Sequence, residues 1–181
     1  VRTACLAAAC LLGWPGLALA EECAPPTLLN TVKLERLNDQ GLVGVPVILN
    51  GVDKTLLFDT GGGGVNYISS AVAEELKLNQ VAGPPSFDLR GNVFDRVATV
   101  RTVALGSAHV DNVRFGVAPD LPFDGMLSAG TFALRAFGMA GADLDIDFGA
   151  MRLNVLSPDH CPGAGITWPH RALAIVPIVL E

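Results

Sequence analysis

Residues 45–78 read VPVILNGVDKTLLFDTGGGGVNYISSAVAEELKL. Asn50-Gly51 lies between an apolar run rich in β-branched residues, 43–49, and a second mostly apolar run, 54–58. An Asn-Gly pair between such runs is typical of a β-hairpin with a two-residue turn. The stretch therefore predicts a hairpin whose second strand leads directly into the tripeptide Asp-Thr-Gly.

The tripeptide itself consists of Asp59, Thr60 and Gly61. An apolar strand that ends in Asp delivers a carboxylate into a turn, and the glycine allows the backbone to bend tightly beside it. Two facing carboxylates can share one proton, so that one acts as a base toward water and the other as an acid toward a carbonyl oxygen. Taken alone, the tripeptide is more typical of a β-turn in which Asp accepts backbone hydrogen bonds.

Downstream of this turn the sequence is mostly β in character. Gly61–Gly64 ends the strand, and 70–78 has helical periodicity with Ser69 or Ser70 as its N-cap. A second short helix is predicted over 131–137. Further strands are predicted over 31–37, 87–89, 96–105, 110–117 and 142–156. Many short strands with few helices predict a mainly β domain, built as a closed barrel or a folded-over sheet.

The first twenty residues have the features of a secretory signal peptide. Arg2 precedes an apolar stretch that ends in Ala18-Leu19-Ala20, so cleavage is predicted before Glu21 and export to the periplasm or the exterior is expected. The mature chain is then divided into an irregular lead-in over 21–30, a domain over 31–158 and a C-terminal segment over 159–181. Residues 176–181 resemble 45–50, which leaves two interpretations open: unrelated apolar strands, or a linker and the first strand of a second lobe.

Charge and cysteine content limit the partners and the compartment. Removal of Arg2 with the signal changes the formal net charge from −6 to −7, which argues against nucleic acid and against an anionic membrane as partners. The mature chain keeps Cys23 and Cys161 near its two ends. An oxidising compartment would allow these cysteines to form a disulfide, but the sequence leaves the paired and the free forms equally open.

The stretch 45–78 resembles the signature of the retropepsin-like aspartic proteases, as found in exported bacterial proteins. The likeness lies in the strand, the Asn-Gly turn, the apolar strand, Asp-Thr-Gly and the Ile-Ser entry into a helix. The second half is similar as well, through 103–106, 113–115, 124–127 and 145–148, so that the resemblance covers about 31–156.

The resemblance implies an acid-protease barrel with Asp59 as the catalytic aspartate. Thr60 would brace paired active-site loops across a lobe interface, and Gly61 would complete the turn. A flap over the substrate would lie between Phe87 and Arg96, with Gly91-Asn92 at its tip. Gly62, Gly91 and Asn92 would then contact the substrate, which would be a peptide or an unfolded protein. A flap of this kind excludes bulk water from the reaction.

Three features depart from the family pattern. Gly62 stands where the family usually has Ala or Ser, and Leu127-Ser128-Ala129-Gly130 stands where it often shows Leu-Gly-x-Asp. The sequence contains one Asp-Thr-Gly, so a pair of aspartates requires a second copy of the domain or a second lobe. These departures also keep a non-catalytic peptide-binding or assembly domain as the alternative function.

Other chemistries have weaker signals. The glycine run lacks the Gly-Lys-Ser/Thr of a phosphate-binding loop, and Ser128 lacks the upstream glycine of a nucleophile elbow, although His160 or His170 could serve as its base. The histidines have no paired metal-ligand spacing, so neither a metal nor a cofactor is predicted. The sequence thus favours an aspartic endopeptidase that uses Asp59 and no cofactor.

Overall fold

The structure is a computed structural model that describes residues 24–61, 64–87, 91–119, 121–131, 141–158 and 160–161. These residues form eleven strands, one α-helix and one short 3-10 helix. The strands are β1 (Leu28–Lys33), β2 (Glu35–Arg36), β3 (Val43–Leu49), β4 (Val52–Asp59), β5 (Tyr67–Ser69), β6 (Gln80–Phe87), β7 (Val93–Leu105), β8 (Ala108–Ala118), β9 (Gly125–Ser128), β10 (Asp143–Asp147) and β11 (Arg152–Leu156). Helix α1 is Ser70–Glu75 and the 3-10 helix is Ala129–Thr131.

The larger sheet closes on itself to form a six-stranded barrel. Its strand order is β2-β3-β4-β9-β5-β8-β7-β6, and β3 also pairs with β7 through Ile48↔Ala104 and Leu49↔Val103. This extra pairing completes a ring of β3, β4, β9, β5, β8 and β7, while β2 and β6 extend beyond it. The expected mainly β barrel is therefore confirmed.

Alternating side chains of the ring strands fill the barrel. Val45, Val47 and Leu49 are buried while Ile48 is exposed, which is the pattern of a strand with one face toward the core. Opposing strands add fully buried side chains, which are Leu56, Ile68, Val100, Phe115 and Leu127. The core therefore lies directly behind the strand that carries Asp59.

The predicted hairpin is present. β3 and β4 pair in antiparallel register from Gly44↔Leu57 to Leu49↔Val52, and the turn residues Asn50 and Gly51 have φ values of 51° and 84°. Both angles fall in the left-handed region, as a type I′ turn requires.

The predicted first helix is also present. It is α1, and the Ser69 hydroxyl accepts a hydrogen bond from Val72 N–H at 3.2 Å, which makes Ser69 the N-cap. α1 ends before Lys77, whose left-handed φ of 50° stops the helix short of the predicted residue 78. Among the described residues, no helix has the length and apolar character needed to cross a membrane.

A smaller sheet joins the two ends of the described chain, in the order β1-β11-β10. Beyond it, Ser157 N–H donates to Thr27 O at 2.9 Å and Cys161 N–H donates to Ala24 O at 3.1 Å. Cys161 is disulfide-bonded. Its predicted partner Cys23 lies outside the described residues, so the pairing of these two cysteines stays a prediction, supported by the position of Ala24.

Several element bounds differ from the sequence predictions. β1 begins at Leu28, inside the stretch expected to be irregular, because 28–33 pairs with β11. The single strand predicted over 142–156 is two strands, β10 and β11, separated by a turn in which Met151 has a φ of 52°. β6 starts at Gln80 and not at Phe87, and the 3-10 helix covers Ala129–Thr131. The helix predicted over 131–137 and the segment 162–181 lie outside the described residues.

Candidate active site

Asp59 is the last residue of β4, at the point where the strand leaves the barrel wall. β4 runs parallel to β9, with the register Leu57↔Met126, Phe58↔Leu127 and Asp59↔Ser128. Because the two parallel strands end together, the turn after Asp59 lies beside the turn after Ser128. The strand pair therefore fixes the backbone of Asp59 in the barrel wall and leaves its side chain half-buried.

The turn after β4 contains a hydrogen bond between the tripeptide's first and last residues. Gly61 N–H donates to Asp59 Oδ1 at 2.8 Å. A backbone donor at this position orients the carboxylate. Thr60, between them, is exposed, so its side chain is accessible to another protein surface. Gly62 lies outside the described residues.

Ser128 and Asn66 form a buried polar network beside this turn. The Ser128 hydroxyl accepts hydrogen bonds from Gly64 N–H at 2.9 Å and from Gly130 N–H at 3.3 Å. Ser128 N–H in turn donates to Asn66 Oδ1 at 3.0 Å. Ser128 is 1% exposed and Asn66 is 5% exposed. The network thus connects the glycine loop after Asp59 to the end of β9.

The two turns are in direct backbone contact. A Cβ atom added to Gly130 would lie 3.1 Å from Gly64 Cα and 3.2 Å from Gly64 N. Both neighbours are backbone atoms, which have little freedom to move away. Gly64 itself has a φ of 83°, a conformation that a residue with a side chain rarely adopts. Glycine at these two positions therefore allows the close approach of the turns.

The segment predicted to be a flap lies at the end of the hairpin formed by β6 and β7, and its role as a flap stays a prediction. The strands pair from Gln80↔Ala98 to Phe87↔Val93, so the connecting turn lies between Phe87 and Val93. Gly91, with a φ of 83°, and Asn92 are described in that turn, and both are exposed. The positions agree with the expected tip, whereas contact of Gly91 and Asn92 with a substrate stays a prediction.

Near the flap, Tyr67 packs on the barrel wall. The Tyr67 and Phe94 rings meet edge to face with centroids 6.1 Å apart. A Cβ on Gly116 would lie 2.5 Å from Tyr67 Cε1, so Gly116 makes room for the tyrosine ring. This contact links β5, which follows the glycine loop, to the flap strand β7.

The alternative chemistries have no assembled site. The Ser128 hydroxyl is buried and engaged by two backbone donors, as a structural serine would be. His160 Nε2 is 2.9 Å from Asp143 Oδ2 and its Nδ1 is 2.7 Å from Cys161 O, so the ring is placed beside these residues. His170 lies outside the described residues. Within the described ranges, no three His, Cys, Asp or Glu side chains are grouped as a metal site.

Two surface cavities lie near the other end of β4. They have volumes of about 500 and 380 Å³, and both are lined by Thr55 and Asp124. Neither is lined by Asp59, Thr60 or Gly61.

Sequence reasoning singled out Asp59 and its turn but missed Ser128 and Asn66 as parts of the same site. The sequence pattern indicated Ser128 only as a candidate nucleophile and as part of a segment that differs from the family's Leu-Gly-x-Asp. The available signal was its position directly after the buried strand residue Leu127, where a polar side chain must find internal partners.

The barrel and the Asp-Thr-Gly turn agree with the comparison to protein families. Residues 45–131, slightly under half of the chain, match the family model for aspartyl proteases. The matched span runs from β3 to the end of the 3-10 helix, and so includes Asp59, the β6–β7 hairpin and Ser128. The match supports a relationship to the aspartyl proteases.

Two solved structures are similar to this chain, and one of them supports the fold. A retropepsin-like aspartic protease from Rickettsia conorii aligns with a TM-score of 0.52 and 16% identity, covering 74% of this chain and 96% of that one. The retroviral protease-like domain of Ddi1 from Leishmania major aligns with a TM-score of 0.37 and 16% identity, covering 67% and 98%. The Rickettsia structure supports the shared fold alone at this identity. Comparison with curated proteins gives no significant match.

Proposed function

We propose that this chain is an aspartic endopeptidase domain in which Asp59 is one of two catalytic aspartates. The observation that supports it most directly is the placement of Asp59, at the end of β4 in an Asp-Thr-Gly turn whose Gly61 N–H bonds its carboxylate at 2.8 Å. The aspartyl-protease match over 45–131 and the retropepsin-like barrel point to the same reaction class.

The proposed reaction requires a pair of carboxylates. One carboxylate, in its ionised form, removes a proton from a water molecule that attacks the peptide carbonyl. The other, protonated, donates its proton to the carbonyl oxygen, so that a tetrahedral diol forms before the C–N bond breaks. Each chain supplies one Asp-Thr-Gly, and the exposed Thr60 within it can contact the domain that supplies the second aspartate. The second aspartate would therefore come from a second copy or a second lobe.

The substrate would be an extended peptide or an unfolded protein, held under the β6–β7 hairpin by Gly62, Gly91 and Asn92. An exposed hairpin can add strand-like hydrogen bonds to an extended backbone. We further propose that residues 1–20 direct export to the periplasm or exterior and are then removed, which a mature N-terminus at Glu21 in an intact mass would support. A mature N-terminus elsewhere would contradict it.

The decisive experiment compares Asp59→Asn with Asp53→Asn. Both residues lie on β4 and both substitutions remove one carboxylate, but Asp53 is exposed on the strand and pairs with Ile48 in the hairpin. Cleavage of an unfolded protein at acid pH should be lost in Asp59→Asn, kept in Asp53→Asn and blocked by a statine-type transition-state mimic. Tight binding of unfolded protein without cleavage by the unsubstituted chain would instead establish the non-catalytic peptide-binding domain.

A further inference from the structure

Ser128, the register partner of Asp59 on the neighbouring strand β9, has hydrogen-bond partners on the backbone of two glycines. Ser128 is 1% exposed, and its hydroxyl accepts from two backbone donors, Gly64 N–H at 2.9 Å and Gly130 N–H at 3.3 Å. A buried hydroxyl held by two backbone donors has one well-defined orientation. The Ser128 hydroxyl therefore has a fixed orientation within the candidate site.

Ser128 contacts the residues at both ends of the glycine loop, Asp59 and Gly64. At the first end, Asp59 and Ser128 are register partners in the parallel pair β4–β9. At the second end, the Ser128 hydroxyl binds Gly64 N–H. Asp59 and Gly64, which stand on either side of the glycine loop, therefore both lie next to Ser128.

Asn66 holds Ser128 itself. Its Oδ1 accepts from Ser128 N–H at 3.0 Å, and its own backbone carbonyl accepts from Gly116 N–H at 2.8 Å. Asn66 is thereby anchored to β8 as well as to the end of β9. The network thus connects the glycine loop to two strands of the barrel.

The loop has an evident need for such an anchor. Residues 61–64 are four consecutive glycines, and glycine loses more conformational freedom on ordering than any other residue. The first of them, Gly61, carries the N–H that donates to Asp59 Oδ1. Contacts that restrict the conformations of this glycine run therefore help to keep the Gly61 N–H directed at the Asp59 carboxylate.

We propose that Ser128, acting with Asn66, is a positioning residue for Asp59: as the register partner of Asp59 and the acceptor for Gly64 N–H, it holds both ends of the turn whose Gly61 N–H orients the carboxylate. Ser128 transfers no proton and touches no substrate. Its effect on turnover rests on the proposed peptidase function, whereas its effect on the loop does not. The two parts can therefore be tested separately.

The first experiment measures amide hydrogen exchange by NMR in the unsubstituted chain, Ser128→Ala and Ser69→Ala. Ser69 is the matched control, since it is also a buried serine whose hydroxyl accepts one backbone N–H, that of Val72 in α1. Exchange at Gly61 and Gly64 should accelerate about ten-fold or more in Ser128→Ala and stay unchanged in Ser69→Ala. Unchanged exchange in Ser128→Ala, or equal acceleration in the control, would overturn the proposal.

The second experiment separates kcat from KM for peptide cleavage. Ser128→Ala should lower kcat about ten-fold with KM changed less than about two-fold, because the substrate-binding surface is intact while Asp59 is misaligned. If Ser128→Ala does not fold, Ser128→Gly removes the same hydroxyl without adding bulk. If a folded Ser128 variant keeps full kcat while Asp59→Asn is inactive, the positioning role of Ser128 is refuted and the peptidase function is not. If the unsubstituted chain cleaves nothing, the peptidase function fails, and the exchange data still decide whether Ser128 fixes the loop.

Discussion

At the scale of single residues, Gly125 shows how closely the strands that carry the site are packed. It opens β9, where β9 lies between β4 and β5. A Cβ atom there would overlap the carbonyl oxygen of Tyr67 and lie 2.9 Å from Ile68 Cα. These are backbone atoms of β5, so relief requires separation of the β5–β9 pair and disturbs the end of β9 beside Asp59.

We therefore expect Gly125→Ala to lower the free energy of unfolding by about 1–3 kcal/mol or more, as overpacking of a core does. Gly149→Ala is the control, since a Cβ at this exposed turn residue meets only Asp147 Oδ1, at 3.3 Å, and should change stability by less than about 0.5 kcal/mol. Urea denaturation of both variants measures the difference. Equal stability losses would show that β5 and β9 are less closely packed than described.

At the scale of secondary-structure elements, the β6–β7 hairpin presents apolar side chains to solvent near its turn. Phe87 is 67% exposed and Val93, its register partner, is 56% exposed. Neither side chain contributes much to the core. An apolar pair held at the end of a hairpin is available to cover a bound peptide.

The corresponding prediction is that Phe87→Ser weakens substrate binding without destabilising the fold. Loss of a phenyl ring that becomes buried on binding should raise KM for peptides about ten-fold. The free energy of unfolding should change by less than about 0.5 kcal/mol. Val81→Ser, 49% exposed and nearer the hairpin base, is the control and should leave KM unchanged. Equal KM values for both variants would remove the hairpin tip from substrate binding.

The same elements show which parts of the structure could be read from the sequence. The β3–β4 hairpin and the α1 cap were predictable because Asn50-Gly51 and Ser69 are local signals with a direct conformational reason. β6 was missed before Phe87 because Gly83, Pro84 and Pro85 resemble a loop, and its pairing with β7 is a property of the sheet. The Ser128–Asn66 hydrogen bond joins residues that are 62 positions apart, so no local sequence pattern predicts it.

At the scale of the whole molecule, the ends of the described chain are joined on one small sheet. β1 pairs with β11, and Cys161 N–H bonds Ala24 O. A disulfide at Cys161 adds a covalent constraint at the same place. The sequence carries a single Asp-Thr-Gly, so the second aspartate of the proposed pair would have to come from another unit.

The last prediction follows from that requirement. If two copies of this chain supply the two aspartates, specific activity should rise with protein concentration, and Asp59→Asn should inhibit the unsubstituted chain when the two are mixed. With a nine-fold excess of the variant, random pairing leaves activity at about a tenth. Asp53→Asn in the same excess should add activity, because its pairs keep both catalytic aspartates. Specific activity that is independent of concentration and unaffected by Asp59→Asn would show that the aspartates are not shared between two copies.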